Sequence, residues 1–107
     1  MEENWVKLCR VSEIKSGTAV AKEVGGVSVL ICHINDQFHA IKNECSHAFQ
    51  CLEGGVMRGG WIACPAHGAR FDLKSGEPLN PPATESIEVF PVKVESGMIM
   101  LDASSIA

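Results

Sequence analysis

Two short boxes in this chain place a cysteine and a histidine close together, each time in the same order. The first box is CSH, residues 45–47, and the second is CPAH, residues 64–67, with sixteen residues between them. Thiolates and imidazoles are the ligands preferred by zinc, copper and iron–sulfur centres. Glycines at 54–55, 59–60 and 68 permit the backbone to approach a bound group. The pattern C-x-H-x16-C-x-x-H therefore predicts a metal centre held by Cys45, His47, Cys64 and His67.

Two kinds of metal centre are compatible with this ligand set. A structural zinc site uses four ligands of these types, but zinc modules usually pair two cysteines in one box and two histidines in the other. Here each box supplies one thiolate and one imidazole. That mixture suits a centre of two metal ions in which each loop binds both ions. A structural zinc module remains the alternative from a different class of protein.

Four further cysteines and histidines are predicted to be packing residues, because residues of these types outside a paired box are usually packed in a strand-rich domain. They are Cys9, Cys32, His33 and His39. A disulfide framework is not expected, since the number of cysteines is odd and MEENWVKLCR resembles no export signal.

Composition limits the classes of function. The 107 residues suit a single domain, with 46% hydrophobic and 21% charged residues. The net charge of −4 gives no basic surface for nucleic acid or anionic lipid. The longest near-apolar run, residues 27–34, is too short to span a bilayer. We expect a cytoplasmic protein with neither a nucleic-acid partner nor a membrane partner.

Short β-rich runs separated by turn residues dominate the chain. Gly25-Gly26 and Ser96-Gly97 predict two-residue hairpins, and residues 35–37 predict a third turn. One short helical turn is expected within residues 11–17. The predicted strands are 5–9, 18–24, 27–34, 38–42, 61–63, 69–73, 87–95 and 98–101. This pattern favours an all-β sandwich or barrel, with residues 43–82 inserted as a unit that carries the site.

The boxes CSH and CPAHG, together with ARFDLKSGEPLNPPA (69–83), resemble the Rieske 2Fe–2S ferredoxin family. The resemblance implies one domain over residues 1–107, an antiparallel β-sandwich with a cluster-binding subdomain at about 43–82. It implies that Cys45 and Cys64 bind one iron and that His47 and His67 bind the other. With two thiolates the oxidised centre is formally neutral, whereas four would leave a dianion, so the imidazoles make reduction easier.

Differences between this chain and some members of the family indicate which kind of Rieske protein it resembles. Quinol-oxidising members carry an extra cysteine in each box, and here Ala66 stands at the second of those positions. Cys51 is accordingly predicted to be an unpaired thiol. Ala69 and Phe71 lack the hydroxyls that bond to sulfur in high-potential members, so a potential toward the lower end of roughly −150 to +300 mV is expected.

The chain is most similar to the ferredoxin components of multicomponent aromatic-ring dioxygenases. The resemblance implies a one-electron carrier, not itself an enzyme, between a flavin- or NAD(P)H-linked reductase and a terminal oxygenase. A Rieske subunit of a nitrite reductase or monooxygenase system is the alternative within the family. The expected contact patch consists of Phe49, Leu52, Pro81 and Pro82, with Glu44 and Glu53 at its rim.

Overall fold

The structure is a computed structural model that describes residues 4–46, 51–66, 68–81 and 85–106. Within these residues the regular structure is β, apart from one short 3₁₀ helix at Val11–Glu13. The described chain has no helix of the length and hydropathy that crossing a membrane requires. The strands are β1 (Trp5–Arg10), β2 (Thr18–Val24), β3 (Val27–Ile34), β4 (Gln37–Lys42), β5 (Met57–Arg58), β6 (Trp61–Ala63), β7 (Arg70–Asp72), β8 (Val89–Phe90), β9 (Val92–Glu95) and β10 (Met98–Asp102).

The strands form three antiparallel sheets. The terminal sheet has the order β1-β10-β9 and joins the two ends of the chain. The central sheet has the order β2-β3-β4-β8. The small sheet, β5-β6-β7, lies between β4 and β8 in sequence and carries the second box directly after β6. The all-β fold class predicted from the sequence is confirmed.

Three two-residue turns connect neighbouring strands. Gly25-Gly26, Asn35-Asp36 and Ser96-Gly97 all have positive φ, between 51° and 84°. Both central residues of such a turn must be left-handed for the turn to match the twist of the strands. The predicted hairpins are confirmed, except that Gln37 already belongs to β4.

The predicted strand at 87–95 is wrong as a single element, because Pro91 divides it. Val89 and Phe90 pair with β4 in the central sheet, whereas β9 pairs with β10 in the terminal sheet. Proline has no N–H to donate to a ladder and fixes its own φ. Its carbonyl oxygen still accepts a hydrogen bond from the Asp102 N–H at 3.0 Å. The chain therefore changes sheets at Pro91.

β3 is buried on both of its faces. Leu30, Cys32 and Ile34 belong to one hydrophobic cluster, which we call the site cluster. Val29 and Ile31 belong to a second cluster, the terminal cluster, which also includes Ile99 and Leu101 of β10. Successive side chains of a strand point to opposite faces. The central sheet is consequently the middle layer, with the site on one side of it and the terminal sheet on the other.

Candidate metal centre

The first ligand loop begins where β4 ends, and Asn43 closes it. Asn43 is only 6% exposed. Its Oδ1 accepts hydrogen bonds from the N–H groups of Leu52 (2.9 Å) and Glu53 (3.0 Å). Its Nδ2 donates to Ser28 Oγ on β3 at 3.2 Å. One buried amide thus joins both ends of the loop that contains Cys45 and His47.

The second ligand loop is a tight turn after β6. The Cys64 N–H donates to the Ala69 carbonyl oxygen at 2.7 Å, and the Gly68 N–H donates to the Cys64 carbonyl oxygen at 2.8 Å. Gly68 adopts φ +73°, which glycine reaches without a steric cost. Pro65 and Ala66 are exposed. The turn therefore leaves the cysteine inside and brings the next two residues of the box to the surface.

The two box cysteines lie in the same part of the core. Cys45 is 0% and Cys64 is 1% exposed, and both belong to the site cluster together with Leu52 and Phe71. His47 and His67 lie outside the described residues, so their place in the ligand set stays a prediction. The structure places both predicted cysteine ligands in one buried cluster, and their role as ligands stays a prediction.

This thiol pair fits an iron centre on chemical grounds. A thiolate surrounded by apolar side chains is unfavourable unless a positive charge compensates it. Coordination to a metal ion supplies that charge and deprotonates the thiol. The apolar cluster also limits the access of water, which is one of the factors that set the potential of an iron–sulfur centre.

Ala69 and Phe71, which follow the second box, are both 0% exposed and belong to the site cluster. Neither side chain can donate a hydrogen bond to sulfur. The low potential inferred from these two residues stays a prediction.

The expected contact patch needs a correction at Leu52, which is 0% exposed and packs in the site cluster. Its N–H bonds to Asn43, which turns the side chain into the core rather than toward a partner. Pro81 and Glu53 are exposed, and the Glu44 carboxylate lies 3.5 Å from Lys42 Nζ. The remaining two members of the patch, Phe49 and Pro82, lie outside the described residues.

The packing role predicted for the remaining cysteines is confirmed. Cys9 is 4% and Cys32 is 0% exposed. Desolvation by burial raises the pKa of the Cys32 thiol to about 12. Cys51, predicted to be an unpaired thiol, is an exposed free cysteine.

The two remaining histidines also have structural surroundings that account for them. His33 Nδ1 lies 2.8 Å from the Ile14 carbonyl oxygen, and its ring stacks on Phe38 with centroids 4.2 Å apart. Burial lowers the pKa of His39, an effect that the charge of Asp72 partly opposes. The predicted packing role is confirmed for both.

Sequence reasoning missed three polar side chains that fasten the ligand loops. They are Asn43, Ser46 and Asn80. Ser46 Oγ donates to the Glu85 carbonyl oxygen at 2.6 Å, and Asn80 Oδ1 accepts from the Arg70 N–H at 2.7 Å. Asparagine and serine commonly bond to backbone groups in turns. That preference marks them as turn formers, but it does not identify partners that lie nine or more residues away.

Comparison with known proteins identifies the class. The model of the Rieske [2Fe-2S] domain matches residues 4–91, and the chain therefore belongs to the Rieske [2Fe–2S] family. It carries one Rieske-type 2Fe–2S cluster, which overturns the alternative of structural zinc. Within the family it is an electron-transfer protein of the ferredoxin type rather than a catalyst.

Three relatives illustrate this placement. The ferredoxin component of the naphthalene 1,2-dioxygenase/salicylate 5-hydroxylase systems of Ralstonia sp is 32% identical, over 94% of this chain and 97% of the relative. The ferredoxin of carbazole 1,9a-dioxygenase from Nocardioides aromaticivorans IC177 is 31% identical with a TM-score of 0.87, over 92% and 96% of the two chains. A chain in a complex of reduced oxygenase and oxidized ferredoxin of carbazole 1,9a-dioxygenase is 31% identical with a TM-score of 0.85, over 94% of each chain.

Proposed function

We propose that this protein is the ferredoxin component of an aromatic-ring-hydroxylating dioxygenase system. It accepts single electrons from a flavin- or NAD(P)H-linked reductase and passes them to a terminal oxygenase. Its place is the cytoplasm, where nicotinamide-linked reductants are available. The single domain spans residues 1–107 and includes a cluster-binding subdomain at about 43–82.

Four side chains would hold the cluster, which supplies a reversible one-electron couple when it is bound. Cys45 and Cys64 would provide the thiolates, and His47 and His67 would provide the imidazoles. The exposed flanks of the second histidine, Ala66 and Gly68, favour transfer of electrons at this end of the molecule. The buried cysteines, by contrast, anchor the centre to the core.

The observation that carries the proposal is the meeting of Cys45 and Cys64 in one apolar cluster, each followed closely by a histidine. The dioxygenase partner is supported by relatives that are ferredoxin components over nearly their whole length. It is also supported by the similar chain that occurs in a complex with a carbazole dioxygenase.

The ligand set is tested by iron and acid-labile sulfide analysis and by electron paramagnetic resonance of the reduced protein. We expect two irons and two sulfides per chain and the spectrum of a mixed His/Cys centre. Single alanine variants at the four proposed ligands should lose the cluster. His39→Ala is the matched control and should keep it, because this half-buried histidine is on β4. Zinc in stoichiometric amount without sulfide would refute the proposal.

The partner system is tested by reconstitution. The purified protein should carry electrons from a NAD(P)H-linked flavin reductase to a ring-hydroxylating oxygenase of the naphthalene or carbazole type. Cluster-free protein is the control. Transfer to a nitrite reductase or a monooxygenase, with none to any dioxygenase, would favour the alternative within the family.

A further inference from the structure

A cavity lies between β4, the turn after β7 and the segment at β8 and β9. It encloses about 310 Å³, which is near the lower end of the usual range for small-molecule sites. Strands of all three sheets border it. Most of its described lining is apolar and includes Leu73, Val89, Phe90, Pro91 and Val92. The cavity therefore offers an apolar surface to a small molecule.

The cavity exists because β4 and β9 diverge. Toward the start of β4, the pairing of β4 with β8 ends at Ala40 and Phe90. Pro91 follows, and β9 then pairs with β10 in the terminal sheet. The described strand pairing does not join the start of β4 to β9, so a gap remains between them. This gap continues into a cleft of about 280 Å³ that is also lined by His39 and Val92.

Among the described lining residues, His39 and Lys74 are the polar ones. Lys74 Nζ makes no ion pair within the described part of the chain. His39 makes no side-chain hydrogen bond there either, and no fully buried side-chain nitrogen of the described residues lacks a partner. The ring nitrogens of His39 therefore remain open to solvent. Both polar groups are available to a ligand in the cavity.

The charges near His39 limit what the cavity can hold. Burial lowers the pKa of His39, the charge of Asp72 opposes this shift, and the charge of Lys74 adds to it. The imidazole is therefore neutral near pH 7 and can donate one N–H. Lys74 supplies a positive charge, while Asp72 repels a second negative charge on a ligand. Asp36 and Lys93 of the adjoining cleft have opposite charges, so the balance favours one negative charge over two.

We propose that the cavity binds a small monocarboxylate with an apolar body. Its carboxylate accepts hydrogen bonds from Lys74 Nζ and from a ring N–H of His39, and bonds between charged groups are stronger than neutral ones. Its apolar body packs on Leu73 and Phe90 and removes water from them. Leu73 belongs to the site cluster and Phe90 to the terminal cluster. The ligand therefore bridges the two clusters, and its binding does not depend on which redox partners the protein has.

The test uses the oxidised holoprotein and follows the ligand by NMR titration at about pH 8, where His39 is neutral. Benzoate is the probe, benzyl alcohol has the same ring without the charge, and inorganic phosphate has charge without an apolar body. We expect saturable binding of benzoate that is at least about fivefold tighter than that of either control, a factor at the upper end of what an exposed ion pair contributes. Benzoate should also raise the unfolding temperature as its concentration increases, since it binds the folded state.

Two variants locate the site. Lys74→Met removes the charge and keeps the length of the side chain, so it should weaken benzoate binding about fivefold and leave benzyl alcohol unaffected. Lys15→Met is the matched control, because Lys15 is exposed and does not line the cavity. Val92→Phe fills the cavity without altering its charge and should abolish the binding of benzoate. If Val92→Phe does not fold, the comparison of the two lysine variants still decides.

Each contrary outcome overturns a definite part of this proposal. Equal affinity for benzoate and benzyl alcohol would show that the carboxylate is not recognised. Phosphate that binds as tightly as benzoate would show that the apolar body contributes nothing. An equal loss of affinity in Lys74→Met and Lys15→Met would mean that benzoate binds elsewhere. A titration that does not saturate up to roughly 20 mM benzoate would refute the site itself.

Discussion

At the scale of single residues, Leu52 shows how burial changes the role expected from a sequence. It follows the exposed Cys51 and precedes the exposed Glu53, yet it is itself 0% exposed. The Asn43 amide fixes the backbone on both sides of this side chain. Leu52 therefore anchors the first ligand loop to the site cluster and does not contribute to a docking surface.

We predict that Leu52→Ala destabilises the protein by about 2–5 kcal/mol, the usual cost of removing a buried leucine side chain. The unfolding temperature should fall by roughly 8 °C or more. Thermal unfolding followed by circular dichroism measures this change. Val56→Ala is the control, because Val56 is 58% exposed and should have almost no effect. Equal stability of the two variants would contradict the described packing.

The free thiols should differ sharply in reactivity. Cys51 is exposed, whereas Cys32 is fully buried and has a pKa raised to about 12. The thiolate is the reactive form, so Cys32 is protected both by access and by protonation. We predict that iodoacetamide at about pH 8 labels Cys51 in the native protein and labels Cys32 only after unfolding. Mass spectrometry of digested samples locates the label, and native labelling of Cys32 would refute the prediction.

The same raised pKa has a consequence for stability. A thiol with a folded pKa above the unfolded value of 9.0 contributes stability that is complete below pH 9.0 and is lost as pH rises toward about 12. Cys32→Ala should therefore flatten the alkaline limb of the stability profile between these two values.

Phe71 offers a test of the predicted low potential. A hydroxyl at this position would supply the donor that high-potential members of the family have. We predict that Phe71→Tyr raises the potential by roughly 40 mV, the one-electron equivalent of a hydrogen bond worth about 1 kcal/mol. Protein-film voltammetry measures it. Phe90→Tyr is the control, because Phe90 belongs to the terminal cluster. An unchanged potential in Phe71→Tyr would mean that its hydroxyl does not reach the centre.

At the scale of elements, the small sheet depends on close backbone contact at Gly55. A Cβ added there would collide with the carbonyl oxygen of Ala63, the last residue of β6. The Ala63 N–H also donates to the Val56 carbonyl oxygen at 2.8 Å. Because Ala63 directly precedes Cys64, this contact sets the position of the second box.

We predict that Gly55→Ala costs on the order of 3 kcal/mol, since backbone atoms must move to accommodate the methyl group. Its iron content should also fall, because Cys64 moves with β6. Gly54→Ala is the control: an added Cβ there meets nothing within 4 Å, and only its φ of +89° causes strain, worth about 1 kcal/mol. Chemical denaturation and iron analysis provide the two measurements. A Gly55→Ala protein with full iron content would refute the coupling.

At the scale of the whole molecule, the two hydrophobic clusters have different roles: one surrounds the proposed cysteine ligands, and the other packs the terminal sheet. The site cluster contains Cys45 and Cys64, and neither of these two cysteines is among the described members of the terminal cluster. The terminal sheet, which closes β1 against β10, packs in the terminal cluster. The scaffold therefore has a core that does not depend on the metal centre.

We predict that removal of iron raises amide exchange in residues 43–46 and 61–73 but leaves β1 and β10 protected. The physical reason is that the bound cluster would hold the site side of the core together, whereas the terminal side is held by apolar packing and by the pairing of β1 with β10. Hydrogen–deuterium exchange with mass spectrometry, on the holoprotein and the chelated protein, measures the difference. Uniform loss of protection across all three sheets would show that the two cores fold as one unit.

The sequence by itself determined the boxes, the all-β class, the two-residue turns and most strand positions. These features depend on residue types at short spacing, which is where local preferences act. The tertiary structure decided which faces are buried. Residues 27–34 read as a nearly apolar run because β3 packs on both sides, so no clear alternation could reveal its faces.

Tertiary structure also decided where the chain changes sheets and how the ligand loops are held. The division at Pro91 depends on pairing with two different strands. Asn43, Ser46 and Asn80 each make a hydrogen bond to a residue that lies between 9 and 39 positions away. Contacts of this length are set by the folded chain as a whole. The residue types at the site can therefore be read from short stretches of the sequence. The hydrogen bonds that hold the ligand loops in place cannot be read in this way.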